Sequence, residues 1–375
     1  MPQVAYTLLI DDQPAPPELI DVIQRLEVED HAEMADMVRL SVAIAIRDGC
    51  GSWNVVDENT FQRLTKLRIN VNVGSGKTEP LIEAYVIETN ADFANQPGQS
   101  VLNVVAMEPT ALMNLQETVQ PWPNMADSDI AEQIFQHYKF NTDNIDPTQP
   151  TRDEDDHTEM QRGTDIQLLQ RLAQRNGFEI YVELNPETGM VEGHFHAPRL
   201  QQDPQGVLSV NMGSATNVNS FHARFDMVQP ATAQAHNVDI HSLEQQTGQS
   251  DSQEDRPLGS ASTVPTDNAR QVLLSGTGLS DTGELQTAAQ AEVDRTSWAI
   301  TAEGEVNTVA YGDVLRAKRP VLVRGAGRQF SGIYYVERVL HSFTGDGYTQ
   351  QFSLRRNAAG LTGQEDYQQD GALPN

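Results

Sequence analysis

Thr164-Asp165-Ile166-Gln167-Leu168-Leu169-Gln170-Arg171-Leu172-Ala173-Gln174-Arg175-Asn176-Gly177-Phe178-Glu179-Ile180-Tyr181-Val182 is the stretch whose reading decides the fold. Thr164 and Gln167 stand at capping-box spacing, the arrangement that satisfies the free N–H groups of a helix start. Ile166, Leu169 and Ala173, with Leu168 and Leu172, form an apolar stripe of helical period. Gly177 can adopt the left-handed conformation that stops a helix, and the β-rich run to Leu184 reads as a strand. The turn Asn185-Pro186-Glu187-Thr188-Gly189 and a return strand through Phe195 complete a compact α+β unit. A second helix, opened by Ser128 and Asp129, places Ile130, Ile134, Phe135 and Tyr138 on one side.

On both sides of this unit, 116–205, the pattern is β. Leu67, Ile69, Val71 and Val73 alternate with Arg68, Asn70 and Asn72, the period of a half-buried antiparallel strand. Strands at Leu81–Thr89 and Val101–Met107 follow, the latter after the Pro97-Gly98 turn, so 1–115 reads as a first β domain. From 206 to 375 strands are expected at Val207–Asn211, Ser220–Met227, Ala235–His241, Val321–Arg324, Gly332–Phe343 and Tyr348–Arg355. The last two are joined at Thr344-Gly345-Asp346-Gly347, a hairpin signal. The segment around 243–283 is polar and poor in apolar residues, which predicts a mobile insertion. A helix follows around 284–299, opened by Asp281 and Glu284. Shifting the chain by 250 positions lays Tyr85-Val86 on Tyr335-Val336, Phe93 on Phe343 and Val104 on Leu354, which suggests a duplicated β domain.

Composition excludes several classes. The 375 residues carry 53 acidic and 25 basic side chains, a formal charge of −28. That disfavours general binding to nucleic acid or to an anionic membrane. No stretch approaches 18 consecutive apolar residues, so no membrane span is expected. Met1–Asp12 lacks the basic start and small-residue cleavage site of a secretory signal, which leads to the expectation of assembly in a cytoplasm. The lone Cys50 allows neither an internal disulfide nor a cysteine zinc cluster.

Candidate chemistry is sparse. Gly74-Ser75-Gly76-Lys77-Thr78 imitates a phosphate-binding loop, but Val71 stands where the first glycine belongs and Pro80 precedes a β run, so a hairpin turn is expected. His194 and His196 share a strand face, and His236 and His241 lie near one another, yet neither pair has the further ligands a metal site needs. No nucleophile elbow is present. Among 53 acidic residues, a carboxylate pair is uninformative. No catalytic, cofactor or metal residue is assigned, and the chain is not expected to be an enzyme. Charge is also uneven: residues 121–165 hold 11 acidic and 3 basic side chains. By contrast, 310–356 hold eight basic ones (Arg316, Lys318, Arg319, Arg324, Arg328, Arg338, Arg355, Arg356) against three acidic. The basic stretch is expected to meet an acidic surface, such as the 121–165 segment of another copy, or simply to guard strand edges.

Three stretches together resemble the phage late control protein D, or tail hub, family, related to the hub part of type VI secretion spike proteins. They are Thr164–Val182; Phe330-Ser331-Gly332-Ile333-Tyr334-Tyr335-Val336 with Val339 and His341; and Gly347-Tyr348 with Phe352 and Arg355-Arg356. Leu168 stands where the family usually has an aromatic. The resemblance covers about 160–356 and implies a mainly β fold with an α+β middle unit and two β-barrel-like tube domains per chain, three chains forming a ring. It implies a structural baseplate hub of a contractile phage tail or phage-like injection system, located in the virion and adapting the sixfold tail tube to a threefold spike. The implied partners are two further copies, the tail tube protein, a separate central spike protein, other baseplate proteins and a tape-measure protein in the lumen. Part of the acidic charge is expected to line that lumen. The alternatives are a tail-associated cell-wall-degrading enzyme or a tail-tip receptor- or carbohydrate-binding module.

Overall fold

The computed structural model describes residues 5–46, 51–72, 78–96, 98–149, 158–185, 188–238, 244–253, 257–275 and 282–367. The chain is mainly β, with the α+β unit in the middle and a β-barrel-like half on either side. Six strands make the first half: β1 (Ala5–Ile10), β2 (Ile23–His31), β3 (Met37–Ala43), β4 (Lys66–Asn72), β5 (Thr78–Asp92) and β6 (Val101–Met107). They pair in the order β2-β3-β6-β5-β4-β1. Alternate residues, among them Leu26, Val28, Val38, Leu40, Leu67 and Ile69, face one apolar core. Burying such side chains is worth about 1.5–3 kcal/mol each.

In the middle, β7 (Glu117–Trp122), α1 (Asp127–His137), β8 (Asn141–Ile145), β9 (Glu159–Thr164), α2 (Asp165–Asn176), β10 (Glu179–Leu184) and β11 (Val191–His196) follow. The helix stop is as expected: Gly177 takes φ +67. At the start of α2 the Thr164 N–H donates to Gln167 Oε1 at 3.1 Å, while the Thr164 hydroxyl turns to Asn114 Oδ1 instead of closing the box. Leu168, in place of an aromatic, is buried with Phe135, Leu169, Leu172 and Phe195. The first helix is capped at Ala126 rather than at Ser128, because Ser128 is engaged with Thr148 and Asp129 Oδ2 accepts the Ala126 N–H.

The second half has β12 (Val207–Ser209), β13 (Val218–Phe225), β14 (Ala231–Val238), β15 (Gln245–Ser250), β16 (Arg270–Ser275), α3 (Thr282–Ser297), β17 (Ile300–Val306), β18 (Pro320–Arg324), β19 (Gly332–Thr344) and β20 (Gly347–Arg356). Leaving out β14–β16 and α3, the pairing order is β13-β17-β20-β19-β18-β12. In chain order this is the first half again, strand for strand.

The repetition extends to irregularities. Gln24 and Asn219 are bulged at matching places, Ile23 opposite Val42 and Val218 opposite Val306. Ile87 and Glu337 are bulged 250 positions apart, the spacing seen in the sequence. Leu64 and Lys318 both take left-handed φ, +63 and +64. Each then brackets the residue before the bulge: Leu64 N–H donates to Val86 O at 2.8 Å, and Lys318 N–H to Val336 O at 2.9 Å. A bulge re-aims a strand, and finding both bulges twice identifies a duplication. The halves differ where β1 meets β4 antiparallel while the short β12 meets β18 parallel.

Two expectations are corrected. The described residues of 243–283 are not structureless, since they include β15 and β16. β15 and β16 flank β14 in a separate sheet, and its Ala233 and Ala235 pack on Leu285, Ala289 and Val293 of α3. Its polar composition misled because the sheet is covered on one face only, and small alanines with one helix suffice to seal it. The opening at Asp281, the strand end at His241, the Pro97 turn and the Gly74–Lys77 turn lie outside the described residues. Asn72 and Thr78 on either side of that last turn pair in an antiparallel ladder, so a strand stands where a phosphate-binding loop would need a helix. In the last hairpin the two loop residues are Gly345 and Asp346, with Thr344 opposite Gly347, one position earlier than an Asp-Gly turn.

α3 lies so close on β15 that a Cβ on Gly248 would stand 2.3 Å from the Leu285 carbonyl carbon. Gly248→Ala is therefore expected to cost about 1–3 kcal/mol in chemical denaturation, whereas Gly345→Ala, with open space around it, should cost well under half of that.

Candidate functional site

The two halves form one sheet because β19 changes partner. Its first residues, Gly332–Tyr335, pair with β18; beyond the Glu337 bulge, Arg338–Thr344 pair with β2, from His31 to Arg25. The hairpin end carries Phe343 and Tyr348, stacked at 4.3 Å, into the core of the first half.

At this joint the basic stretch spends its charge. Lys318 Nζ, buried, donates to Asp30 Oδ1 at 2.6 Å and to both carboxylate oxygens of Asp36 at 2.8 and 2.9 Å. It also lies 5.1 Å over the ring of Tyr181 in β10, so one ammonium ties both halves and the middle unit. The Glu108 carboxyl is buried close by, its Oε1 accepting from the Thr110 hydroxyl. Burial would raise the Asp30 pKa, but the Lys318 ammonium overrides it and holds the carboxyl well below its usual range. Asp36 is pushed up to about 7 by burial, with Lys318 opposing and the Asp30 charge adding to the rise. Burial also raises Glu108 well above the ordinary carboxylate value. One cation thus keeps one carboxylate firmly ionised.

Six of the seven other basic side chains of the stretch are also engaged within the chain. Arg338 Nε donates to Glu29 at 2.5 Å and Arg319 to Glu183 at 2.8 Å. Arg355 bonds Glu33 and Glu179, and the Tyr335 hydroxyl donates to Glu179 at 2.5 Å. Arg316 donates to the Pro80 and Leu81 carbonyls. Arg324 donates to Ser209 Oγ, and Arg356 to the carbonyls of Leu258, Ser331 and Gly360. Among the described residues, the carboxylates these cations meet are Glu29, Asp30, Glu33, Asp36, Glu179 and Glu183 of the same chain. Within 121–165, Asp127 and Glu159 clasp Arg175 of the middle unit. Charge counting found the basic stretch; the acids it meets are too scattered in sequence to stand out.

A pocket of about 380 Å³ opens beside the joint, lined by Tyr181, His194, His196, Arg199, Lys318 and Arg319 among others. The His194 ring stacks on Tyr181 at 4.2 Å, and His194 Nδ1 lies 3.3 Å from His196 Nε2. Burial drives His194 down to about 3, so the ring is neutral. His236, half-buried on β14, bonds through Nδ1 with Gln245 and Thr247 of β15. Among the described residues no group of three or more His, Cys, Asp or Glu is disposed to hold a metal, and no helix is long and apolar enough to cross a membrane. What the arrangement does chemically is lock three parts of the chain through buried ion pairs.

Residues 12–345 match the family model described as Alg8 N-terminal domain. No curated protein matches the sequence. Among solved structures, a 43 kDa tail protein of prophage MuSo2 from Shewanella oneidensis aligns with TM-score 0.66 at 13% identity, covering 95% of this chain and 99% of that one. A tail protein from Neisseria meningitidis MC58 aligns with TM-score 0.65 at 11% identity, covering 95% and 97%. An E. coli component of the type VI secretion system aligns with TM-score 0.56 at 11% identity, covering 93% and 76%. The fold is therefore that of phage tail proteins.

Two outcomes are expected at the joint. Lys318→Met leaves buried carboxylates without their cation and should lower unfolding free energy by about 3–5 kcal/mol. An acid whose folded pKa is raised lends stability below its unfolded pKa and loses it as pH rises through the folded one. The unfolding free energy of the wild type, from denaturant titrations, should therefore fall from pH 4 to 7 relative to Asp36→Asn, by on the order of 1 kcal/mol per pH unit.

Proposed function

Since the chain belongs to the family of the Alg8 N-terminal domain model and has the fold of phage tail proteins, we propose that it is a structural hub of a contractile phage tail or phage-like injection system. In this reading three copies form a ring that adapts the sixfold tail tube to a threefold central spike. The observation that carries it is the duplication: two copies of one six-strand unit per chain, alike down to both bulges, make six near-equivalent positions from three chains. A ring of six such units can meet a sixfold tube while remaining threefold in covalent structure.

The function needs no catalysis, and the buried ion pairs serve rigidity. The partners in this reading are the tube protein on one face, a separate spike protein on the other, further baseplate proteins around the rim and a tape-measure protein in the lumen. Its place is the virion tail. The net charge of −28, repeated three times around a channel, disfavours adhesion of a passing acidic chain.

The mass of the purified chain by light scattering near physiological ionic strength tests this. Particles near three times 41.4 kDa, alone or with the spike protein, are expected; a monomer under both conditions overturns the hub.

A further inference from the structure

The duplication leaves two strand edges without the partner that their counterparts have. In the second half, the β19 edge from Arg338 to Thr344 is covered by β2. Its counterpart in the first half is β5 from Glu88 onward, where the β4 ladder has ended at Tyr85 and, among the described residues, only β6 pairs. The counterpart of β2 is β13, which among the described residues pairs with β17 alone and ends the sheet. Glu88, Thr89 and Asn90 are exposed, and Phe93 is 56% exposed. Exposed strand edges are normally blunted or covered.

We propose that β13 of one copy pairs antiparallel with the Glu88–Ala94 edge of the next, in the register of the β2–β19 joint. The register follows from two spacings: 250 positions carry β5 onto β19, and 195 carry β2 onto β13, as the bulges at Ile87 and Glu337 and at Gln24 and Asn219 fix them. His341 opposite Val28 becomes Ala91 opposite Ala223. Phe343 opposite Leu26 becomes Phe93 opposite Phe221, so the exposed Phe93 ring enters the neighbour's core as Phe343 enters the first half's own.

Side-chain chemistry, which took no part in setting the register, agrees with it. The ion pair Arg338–Glu29 maps onto Glu88 and Arg224, an opposite-charge pair with its signs exchanged. Lys318 and Asp30, the charged bond of the joint, map onto Leu64 and Phe225, an apolar pair. Ser342 opposite Glu27 becomes Asp92 opposite His222. Every copy would offer one edge of each kind, a head-to-tail contact that closes into a ring. Backbone hydrogen bonds supply adhesion and the side chains select the register. This inference rests on the assembly proposed above and names its interface.

Full-length chain carrying Cys50→Ser, Ala91→Cys and Ala223→Cys provides the test, because directly opposed Cβ atoms lie about 4.5–5.5 Å apart, close enough to bridge with a slight shift. Diamide should give covalent dimers and trimers on non-reducing gels, while either cysteine alone, or Ala91→Cys with Ser220→Cys, should give few. Separately, Arg224→Glu should weaken association about tenfold, and adding Glu88→Arg should restore it. Three-copy particles in which the Ala91–Ala223 pair does not link and the charge swap does not restore overturn this interface and leave the hub reading standing. A chain that stays monomeric overturns both.

Discussion

The structure depends on one strand that changes partner within a single sheet. β19 must leave β18 and take up β2 within three residues, and the Glu337 bulge makes that possible by releasing one residue from the ladder. The Ala32 N–H then bonds the Glu337 carbonyl at 2.8 Å, so the bulged residue itself stitches the first half to the second. Lys318 sits beside this crossing, and its left-handed backbone turns the chain so that its ammonium reaches Asp30 and Asp36. Such a backbone costs about 1 kcal/mol for a non-glycine residue. Leu64 takes the same conformation at the equivalent place, so the cost is borne by the bulge geometry the two halves share.

Buried ion pairs are weak evidence for stability, because desolvation offsets much of the attraction. Their value at this joint lies in exclusivity. A slip of β2 along β19 by two residues would keep apolar side chains on the same face, yet it would move Asp30 away from Lys318 and Glu29 away from Arg338. The charges therefore forbid what the hydrophobic pattern alone would permit.

Much of the fold was legible because it is written locally. A period-2 run located β4, the turn signals after it located β5 and β6, and the Thr164–Gly177 signals located α2 to the residue. The repeat was visible only as four coincidences, since duplicated strands keep their bulges and pairing long after their side chains diverge. The sheet formed by β14–β16 escaped notice because its seal consists of alanines, which carry little hydrophobic signal. The joint was half legible: the basic cluster could be counted, whereas Asp30, Asp36 and Glu179 meet it only through long-range pairing. No local pattern foretells that.

The sheet of β14–β16 with α3 interrupts only the second of the two repeats, between β13 and β17. Around a closed circle of repeats such an ornament would recur at every other place. A rim otherwise close to hexagonal would thereby become triangular in relief, so that one and the same ring shows a different symmetry according to the height at which it is read.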